Sequence, residues 1–516
     1  MKKSPERASY NNTVFKVSAL IIGLFTIWGA FSPDTLAKYA SAVFDFTSHS
    51  FGWFYLFSVA VFVFFCLYLA FSKYGNIKLG KDNEKAEFSL FTWISMLFSA
   101  GFGVGIVFWG VAEPLTHFSS PPLQDVEPNT AEAARVAMRY SFFNWGIHQW
   151  SVFAIVGLAL SYFQFRHKRK ALISETLDGV KDKKGKSIIR SSVNILAIIA
   201  TITGVATSMG MGILQINGGL NYVFSIPNTA WVQVGIVGIM LVLYLISSTT
   251  GIDKGIKFLS NINMLLVLVL MVFFLFRGPT VFIIESFVLG IGDYLQHFVE
   301  MSFYLTPYTG DTWAHDWTVF YWAWVIAWSP FVGSFVARVS RGRTIREFVI
   351  GVMIVPPVIG FVWMAIFGGT GLYMDLFTGT AISEAVSNDV ATAIFVLLKE
   401  FPLYTLLSVI MMLLIVIFLV TSADSAVFVL GMMSSDGSLN PSRVVKVIWG
   451  VLMAAITAVL IVSSGLKGLQ TASLVSALPF TIILILISIS LFKSIYKEKG
   501  ILEDTHNQIE IQRKAQ

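Results

Sequence analysis

Charged residues are scarce in this chain. Asp, Glu, Lys and Arg make up 13% of its 516 residues, whereas 55% are hydrophobic. Soluble domains carry about 25% charged residues, so this composition excludes a water-soluble protein. Cysteine is almost absent as well. Cys66 is the only one, which excludes an intrachain disulfide, and we interpret it as a packing residue.

The apolar residues are collected in runs of roughly 20, the length at which an α-helix crosses about 30 Å of hydrocarbon. Membrane strands would instead be about 10 residues long and alternate in polarity. Stretches such as Trp231–Leu245 and Met411–Val420 do not alternate. The sequence therefore predicts an all-α polytopic membrane protein.

The hydropathy pattern predicts twelve transmembrane helices. Their approximate bounds are 13–32, 51–71, 91–110, 139–163, 188–214, 230–248, 257–276, 316–338, 348–369, 402–430, 442–463 and 471–493. The first run begins near Thr13 and lacks a small-residue cleavage site. We therefore interpret it as a retained span and not as a signal peptide.

Lys and Arg are concentrated in every second connection between spans. The richest segments are 73–85, after the second span, and 166–186, after the fourth. Because basic loops stay in the cytoplasm, both termini are expected there, in a bacterial-type inner membrane. The asymmetry also accounts for the net charge of +6, so nucleic-acid binding has no separate support.

The pattern divides the chain into six parts. They are a cytoplasmic tail (1–12), two peripheral helices (13–90), a first group of five spans (91–276), an outer interfacial helix (277–312), a second group of five spans (313–493) and a cytoplasmic tail (494–516). The interfacial helix is predicted from Val281–Phe303, where acidic residues interrupt an apolar pattern of helical period. A plain loop is the alternative, and residues 382–399 are open to the same two interpretations.

Two spans carry helix breakers. The third holds Gly101, Gly103 and Gly105 around Phe102, and each glycine lowers helix propensity by about 1 kcal/mol relative to alanine. The eighth holds Trp328-Ser329-Pro330, where proline removes a backbone donor. Irregular backbone in a membrane is tolerated only where it is buried in protein or lines a cavity. Both breaks therefore indicate a pathway.

The breaks lie five spans apart, which predicts two repeats of five helices, the second inverted because five is odd. Paired interrupted helices indicate a midplane substrate site of a secondary transporter. Close helix packing is the alternative interpretation of the glycines. Their alternate spacing, however, places them around the helix and not along one face.

Four stretches carry a resemblance to a known family. They are Gly101–Pro114 (GFGVGIVFWGVAEP), Trp145–Trp150 (WGIHQW), Tyr321–Arg346 (YWAWVIAWSPFVGSFVARVSRGRTIR) and Thr421–Ser425 (TSADS). Through them the chain resembles the betaine/choline/carnitine transporter family over nearly its whole length. The resemblance implies a LeuT-like inverted five-plus-five repeat preceded by two extra helices. It also implies a homotrimer in which the interfacial helix makes contacts.

Aromatic residues gather around the two breaks. Aromatic faces bind cations, quaternary ammonium groups in particular, with up to about 2 kcal/mol when desolvated. The resemblance implies a substrate path lined by Gly101, Phe102, Gly103, Gly105, Trp145, Trp150, Phe153, Trp322, Trp324 and Trp328. The alternative is that these aromatic residues only fill the surface that faces lipid.

Three positions depart from the family's usual betaine site, so the pocket is expected to have a different shape. Phe153 stands where tyrosine is common, and Phe102 where methionine is common. Val325 stands where a second tryptophan usually follows Trp324.

The substrate is expected to be zwitterionic. No acid lies between Gly101 and Gly105 to neutralise a purely cationic solute such as choline. A zwitterion instead brings its own carboxylate to the backbone amides freed at the break. The sequence thus favours glycine betaine-like solutes, then ectoine, proline betaine or carnitine, over choline.

Hydroxyl-bearing residues predict two sites for coupling sodium ions, since sodium is a hard cation that takes several oxygen ligands. The resemblance implies a first site from Ser99, Phe102, Phe418, Thr421 and Ser422, and a second from Thr203, Thr207 and Phe331. The alternative is that these hydroxyls bond to their own backbone one turn back, as is common in membrane helices.

Other classes of protein find little support. A membrane enzyme is expected to show an acid–base or metal cluster such as HExxH, and a channel a repeated pore loop, and neither pattern occurs. The sequence therefore predicts a sodium-coupled transporter without organic cofactor. A sodium-independent antiporter of carnitine-like solutes is the main alternative. Sodium-independent members of the family carry a positive group or a methionine sulfur in place of the ion. Ile195–Ile216 holds no Lys or Arg, which favours sodium coupling.

Overall fold

The computed structural model describes residues 12–177, 186–250 and 253–515. Side chains are described for the same residues apart from 98–100, 186, 250, 253–260 and 499–515. Within these ranges the chain is helical, with one isolated β-bridge between Lys78 and Thr344. The all-α fold expected from the apolar runs is confirmed for this part of the chain.

We number the α-helices in chain order. They are α1 (Thr13–Phe31), α2 (Pro33–Phe71), α3 (Leu90–Gly101), α4 (Gly103–Ser119), α5 (Ala131–Asn144), α6 (Ile147–Ser161), α7 (Lys186–Phe224), α8 (Ala230–Thr250), α9 (Asp253–Arg277), α10 (Thr280–Gln296), α11 (Phe298–Ser302), α12 (Trp313–Asp316), α13 (Thr318–Val339), α14 (Ile345–Phe377), α15 (Ile382–Asn388), α16 (Ala393–Lys399), α17 (Tyr404–Ser434) and α18 (Arg443–Ala515). Short π- and 3₁₀-helical segments lie at Tyr162–Arg166, Ile173–Thr176 and Val390–Thr392.

Among the described residues, nine helices are long and apolar enough to cross a membrane, or ten if the bent pair Asn261–Arg277 and Thr280–Gln296 counts as one span. The chain is therefore a multi-pass membrane protein, although fewer continuous spans are found than the twelve expected. One reason is that the expected third span is divided into α3 and α4. Another is that the expected eleventh and twelfth spans join in α18, where Gly465 alone leaves helical conformation (φ 55°, ψ −134°).

Local signals set several helix ends. The side chain of Asn12 accepts the N–H of Val14 at the start of α1. Thr344 and Glu347 form a reciprocal capping box at the start of α14. These caps satisfy amides that have no partner within the helix.

The eighth span is not broken, so this expectation was wrong. Helix α13 runs unbroken through Pro330. Proline leaves the carbonyl of Ile326 without its usual backbone donor. The hydroxyl of Ser329 donates to that carbonyl at 2.8 Å and so replaces the missing bond. The helix therefore continues, and the residues around it are buried.

The expected fourth span is divided, a feature that its sequence does not predict. Helix α5 ends at Asn144, α6 begins at Ile147, and Trp145 and Gly146 lie between them. The division falls in the tryptophan-rich motif WGIHQW, which reads as a continuous apolar helix because it contains no proline and only one glycine.

The extent of burial shows which helices form the interior of the bundle. For each span we compare the share of buried residues in its most apolar 18-residue segment. This share is 94% in Ala131–Arg166 and 89% in Trp313–Val339, but only 28% in Thr13–Phe31 and 22% in Ala230–Thr249. Helix α13 packs against α6 and α7, and α4 packs against α5 and α14. Helices α4, α5, α6 and α13 therefore form the centre, and α1 and α8 the periphery.

The segment expected as an interfacial helix is helical. It forms α10 and α11, and α10 turns by 109° relative to the preceding helix. Residues 382–399 form α15, a 3₁₀ turn and α16, and the side chains of α16 are buried except at Lys399. Both segments therefore pack on the bundle as helices and not as plain loops.

Candidate substrate site

The glycine-rich segment of the third span is interrupted at one residue. Phe102 separates α3 from α4, and Gly103 has a positive φ of 46° that favours glycine. The interruption is narrower than expected, because Gly101 and Gly105 both lie in helices. Phe102 is fully buried, so the break lies inside the protein.

Tryptophans from α6, α13 and the α5–α6 break lie against these glycines. A Cβ atom at Gly101 would overlap the ring of Trp150. At Gly105 it would lie 2.5 Å from Cη2 of Trp324 and 3.1 Å from Cη2 of Trp145. The glycines therefore serve close packing as well as the break, so the two interpretations offered by the sequence both hold.

The aromatic rings around the break form a continuous set, which we call the aromatic cage. Its members are Phe102, Trp145, Trp150, Phe153, Trp324 and Trp328. The ring of Phe102 lies 6.1 Å from that of Trp145 and nearly parallel to it, at 20°. It lies 5.2 Å from that of Trp150.

The remaining rings close the circle. Trp150 contacts Phe153 at 5.5 Å, and Phe153 contacts Trp328 at 5.9 Å. Trp328 stacks on Trp324 at 6.0 Å, and Trp324 meets Trp145 at 6.1 Å. These side chains are at most 3% exposed, so their faces are desolvated, the condition under which a cation gains most from them.

Trp322 is not a member of the cage. It stacks on His148 at 5.6 Å and meets Phe143 at 5.4 Å. Residues two apart on a helix point to different sides, so Trp322 and Trp324 cannot share a face of α13. The structure therefore separates Trp322 from the other predicted substrate residues.

Glu113 of α4 is a buried acidic residue outside the cage that hydrogen-bonds to one of its members. It accepts the indole N–H of Trp145 and the amide of Asn144, both at 2.8 Å, and the hydroxyl of Tyr321. His117, one turn further along α4, lies 3.3 Å from the same carboxylate. Glu113 lies within the family motif Gly101–Pro114, but nothing in one sequence identifies its partners on other helices.

Two indole donors of the cage differ in their bonding. Trp324 donates to the hydroxyl of Ser208 at 3.3 Å. The indole nitrogen of Trp150 is buried and has no hydrogen-bond partner among the described residues. A buried donor without a partner is costly, so Trp150 is suited to donate to an acceptor on a bound solute.

Part of the expected first sodium site lies beside the break. A Cβ at Gly103 would be 3.5 Å from the hydroxyl oxygen of Ser422. The hydroxyl of Thr421 donates to the carbonyls of Ile417 and Phe418, at 2.9 and 3.1 Å. Helix α17 thus brings Ser422 to the third-span break. The side chain of Ser99 lies outside the described residues.

Two hydroxyls of the expected second sodium site contact the last helix, α18. The hydroxyl of Thr203 lies 2.6 Å from that of Ser476, and the hydroxyl of Thr207 lies 2.8 Å from that of Ser473. Thr207 also donates to the carbonyl of Leu469 at 2.7 Å. These hydroxyls face α18.

The ring of Phe331, the third residue expected in that second site, lies near Trp328, with the two ring centroids 6.1 Å apart and the rings tilted by 44°. Gly204, next to Thr203, is the position of α7 that meets the backbone of α13 at Ala327 and Trp328.

Comparison with known proteins agrees with the resemblance noted in the sequence. Residues 13–500 match the family model described as BCCT, betaine/carnitine/choline family transporter. An ectoine/hydroxyectoine transporter of Virgibacillus pantothenticus is 55% identical over 491 residues, which cover 95% of this chain and 98% of that protein.

Two further relatives differ in their named substrates. A glycine betaine transporter of Bacillus subtilis (strain 168), OpuD, is 48% identical over 95% of each chain. A high-affinity choline transport protein of Escherichia coli (strain K12) is 36% identical over 98% of this chain and 76% of its own length. These relatives are transporters and not enzymes. The chain belongs to the BCCT family of betaine/carnitine/choline transporters.

Proposed function

We propose that this protein is a secondary transporter that couples sodium entry to the uptake of a zwitterionic compatible solute, such as ectoine or glycine betaine. The observation that carries the proposal is the aromatic cage, which surrounds the break between α3 and α4 at Phe102. The aromatic faces of the cage attract a cation, and they lie beside backbone amides at the break that attract an anion.

The cage suits the two ends of a zwitterion. Its desolvated rings attract the cationic group. The carboxylate has two kinds of donor nearby. The first amides of α4 begin at Gly103, where the helix dipole is positive, and Trp150 has a buried indole N–H without a partner among the described residues. A solute with both charges therefore fits better than a simple cation.

The ranking of candidate solutes rests on the composition of the cage and on the named relatives. Phe102 and Phe153 are cage rings without hydroxyls, and Val325 is buried next to Trp324. The relatives named for ectoine and for glycine betaine are the more similar ones, and the choline protein is more distant. We therefore propose ectoine or glycine betaine ahead of proline betaine, carnitine and choline.

The first sodium site is proposed around Ser422. Ser422 and Thr421 supply hydroxyl oxygens, and Ser99, Phe102 and Phe418 would supply backbone carbonyls. The support is that Ser422 lies beside Gly103, where the break between α3 and α4 leaves carbonyls outside regular helix bonding.

The second sodium site is proposed around Thr203 and Thr207. The oxygens of Ser473, Ser476 and Leu469 lie within hydrogen-bond distance of these hydroxyls and are available as further ligands. The resemblance adds the carbonyl of Phe331. Sodium binding here requires the hydroxyls to turn their lone pairs toward the ion.

The transport cycle and assembly are also part of the proposal. We propose twelve spans, of which spans 3–7 and 8–12 form inverted LeuT-like repeats, with both termini in the cytoplasm of a bacterial-type cell and alternating access to the cage. A homotrimer through α10 is supported by apolar side chains exposed along that helix, namely Val281, Ile284, Val288, Leu289 and Leu295.

Uptake by the purified protein in liposomes tests the proposal. Labelled ectoine, glycine betaine, carnitine and choline are each supplied with external sodium or with potassium in its place. We expect ectoine or glycine betaine to accumulate only with sodium, and an inside-negative potential of 100 mV to increase accumulation, since each sodium adds about 2.3 kcal/mol. Exchange of carnitine that is indifferent to sodium would establish the antiporter alternative instead.

A further inference from the structure

Helix α6 begins without a capping side chain of its own. The residue before its first turn is Gly146, whose backbone is extended (φ −89°, ψ −153°) and which has no side-chain oxygen. The first amides of a helix have no partner within it. Gly146 is buried inside a membrane protein, so water does not reach this helix start. The amide of the next residue, Ile147, therefore needs a hydrogen-bond acceptor from another element.

Tyr294 of α10 supplies that acceptor. The N–H of Ile147, the first residue of α6, donates to the hydroxyl oxygen of Tyr294 at 3.1 Å. A Cβ at Gly146 would lie 2.7 Å from this oxygen and 3.0 Å from Cζ of the same ring. Glycine is therefore required at the break so that the tyrosine can approach the backbone.

Contacts on either side hold α10 and α11 against the break. Arg135 of α5 donates through Nε and Nη2 to the two carboxylate oxygens of Asp293, at 2.7 and 2.8 Å. After α10, Ser302 lies with its hydroxyl 2.7 Å from Nε2 of His148. The segment that contains Tyr294 is thus fixed on the residues before and after the α5–α6 break.

The amide capped by Tyr294 lies between two residues of the aromatic cage. Trp145 directly follows the last residue of α5, two positions before Ile147. Trp150 lies in the first turn of α6, where its backbone N–H donates to the carbonyl of Gly146 with an N···O distance of 3.4 Å. A shift of the backbone at Ile147 moves both rings together.

We infer that Tyr294 is a positioning residue for the substrate site: its hydroxyl caps α6 in trans and so fixes Trp145 and Trp150 in the cage. Helix α10, the expected interfacial helix, is then a structural support of the transport path. The effect on transport rests on the proposed function, whereas the cap itself does not.

Two readouts on Tyr294→Phe test this inference, with Tyr304→Phe as the matched control. Tyr304 follows α11 closely in the chain, and its hydroxyl bonds the carbonyl of Pro122, away from the break. We expect peptides covering residues 145–153 to exchange amide hydrogen about tenfold faster in Y294F than in Y304F. We also expect the half-saturation concentration for uptake to rise about tenfold, with the maximal rate within twofold of the wild type.

The outcomes separate the parts of the inference. Equal amide hydrogen exchange of residues 145–153 in Y294F and Y304F overturns the assignment of Tyr294 as the cap of α6. Faster exchange with an unchanged half-saturation concentration overturns the positioning role. Absence of uptake by the wild-type protein contradicts the proposed function only, because hydrogen exchange needs no substrate.

If Y294F does not accumulate, Arg135→Gln provides the same test. This substitution loosens α10 without changing Tyr294, and the glutamine amide can still donate a hydrogen bond to the buried Asp293, so the variant is expected to fold. We expect it to raise exchange in 145–153 and the half-saturation concentration, each by a smaller factor than Y294F. Wild-type values for both overturn the inference.

Discussion

Trp145 donates its indole N–H to a carboxyl oxygen of Glu113 at 2.8 Å, so a ring of the aromatic cage is held by an acidic side chain outside it. The same carboxylate accepts from Tyr321, and both Glu113 and Tyr321 are fully buried. Leaving a buried donor without its partner costs about 1–3 kcal/mol, enough to fix the orientation of an indole. Glu113 therefore links α4, α13 and the α5–α6 break beside the aromatic cage.

Glu113→Gln is predicted to weaken substrate binding. The amide is a weaker acceptor for Trp145, and its NH₂ group opposes the donors Asn144 and Tyr321. We expect the half-saturation concentration for uptake to rise about tenfold. Glu384→Gln, at an exposed position on α15, is the control and should leave it unchanged. Identical kinetics of E113Q and E384Q would show that the carboxylate does not orient the cage.

Gly101→Ala is predicted to abolish uptake. The added methyl group overlaps the ring of Trp150, and overpacking of a buried site costs about 1–3 kcal/mol. Gly235→Ala on α8 adds the same group where no atom lies within 4 Å of the new Cβ. That variant should transport normally and be slightly more stable, because alanine favours helix. Uptake measured on equal amounts of purified protein distinguishes the two.

The outcome for the broken third span shows what one sequence can predict. The interruption was expected because glycine favours irregular backbone, and Gly103 does adopt a conformation that few other residues tolerate. At Pro330 the same reasoning failed, since Ser329 supplies a hydrogen bond to the carbonyl that proline leaves unpaired. A breaker therefore predicts a break only when no neighbouring side chain satisfies the freed backbone group.

Contacts between residues far apart in the chain could not be predicted from the sequence. The break at Gly146 depends on a hydroxyl from Tyr294, 147 positions away from its partner Ile147. Glu113 and Tyr321 are 208 positions apart. Conversely, the family resemblance predicted a group of aromatic residues around the third-span break. The structure brings these rings together, except for that of Trp322, which helical geometry turns away from Trp324.

Phe102→Met is predicted to change selectivity. The ring of Phe102 lies nearly parallel to that of Trp145 and packs over Gly360, where a Cβ would be 2.8 Å from the phenyl Cζ. A flat cyclic cation such as that of ectoine gains most from parallel faces, whereas a rounded trimethylammonium group depends less on their orientation.

Competition assays measure the predicted selectivity change. We expect F102M to lose about fivefold in affinity for ectoine and less than twofold for glycine betaine. Phe118→Met, at the far end of α4, is the control for loss of a buried ring. Equal losses for both solutes would contradict a shape-selective role for Phe102.

Acidification is predicted to loosen the connection between the loops that follow α2 and α13. Glu84 accepts the backbone N–H of Lys81 at 3.0 Å and the guanidinium of Arg341 at 2.7 Å, and these bonds hold the pKa of its carboxyl below the usual 4.5. The contribution to stability is therefore complete above pH 4.5 and is lost as the pH falls through the lowered pKa.

Thermal unfolding at several pH values checks this prediction. Glu84→Gln should lower stability slightly at pH 7, by less than about 1 kcal/mol because the pair is solvent-accessible, and more salt should reduce the difference. As the pH falls through the lowered pKa of Glu84, the variant and the wild type should converge. A difference that grows on acidification would contradict the assignment of this pair.

The central claim is that the aromatic cage binds the positive charge of a zwitterion. Competition for sodium-dependent uptake by glycine betaine and by its uncharged-head isostere, 3,3-dimethylbutanoate, tests it most directly, because carbon replaces the quaternary nitrogen without a change of shape. A desolvated cation–π contribution of about 2 kcal/mol predicts that the isostere competes about 30-fold more weakly. Equal competition by the two compounds would contradict the claim.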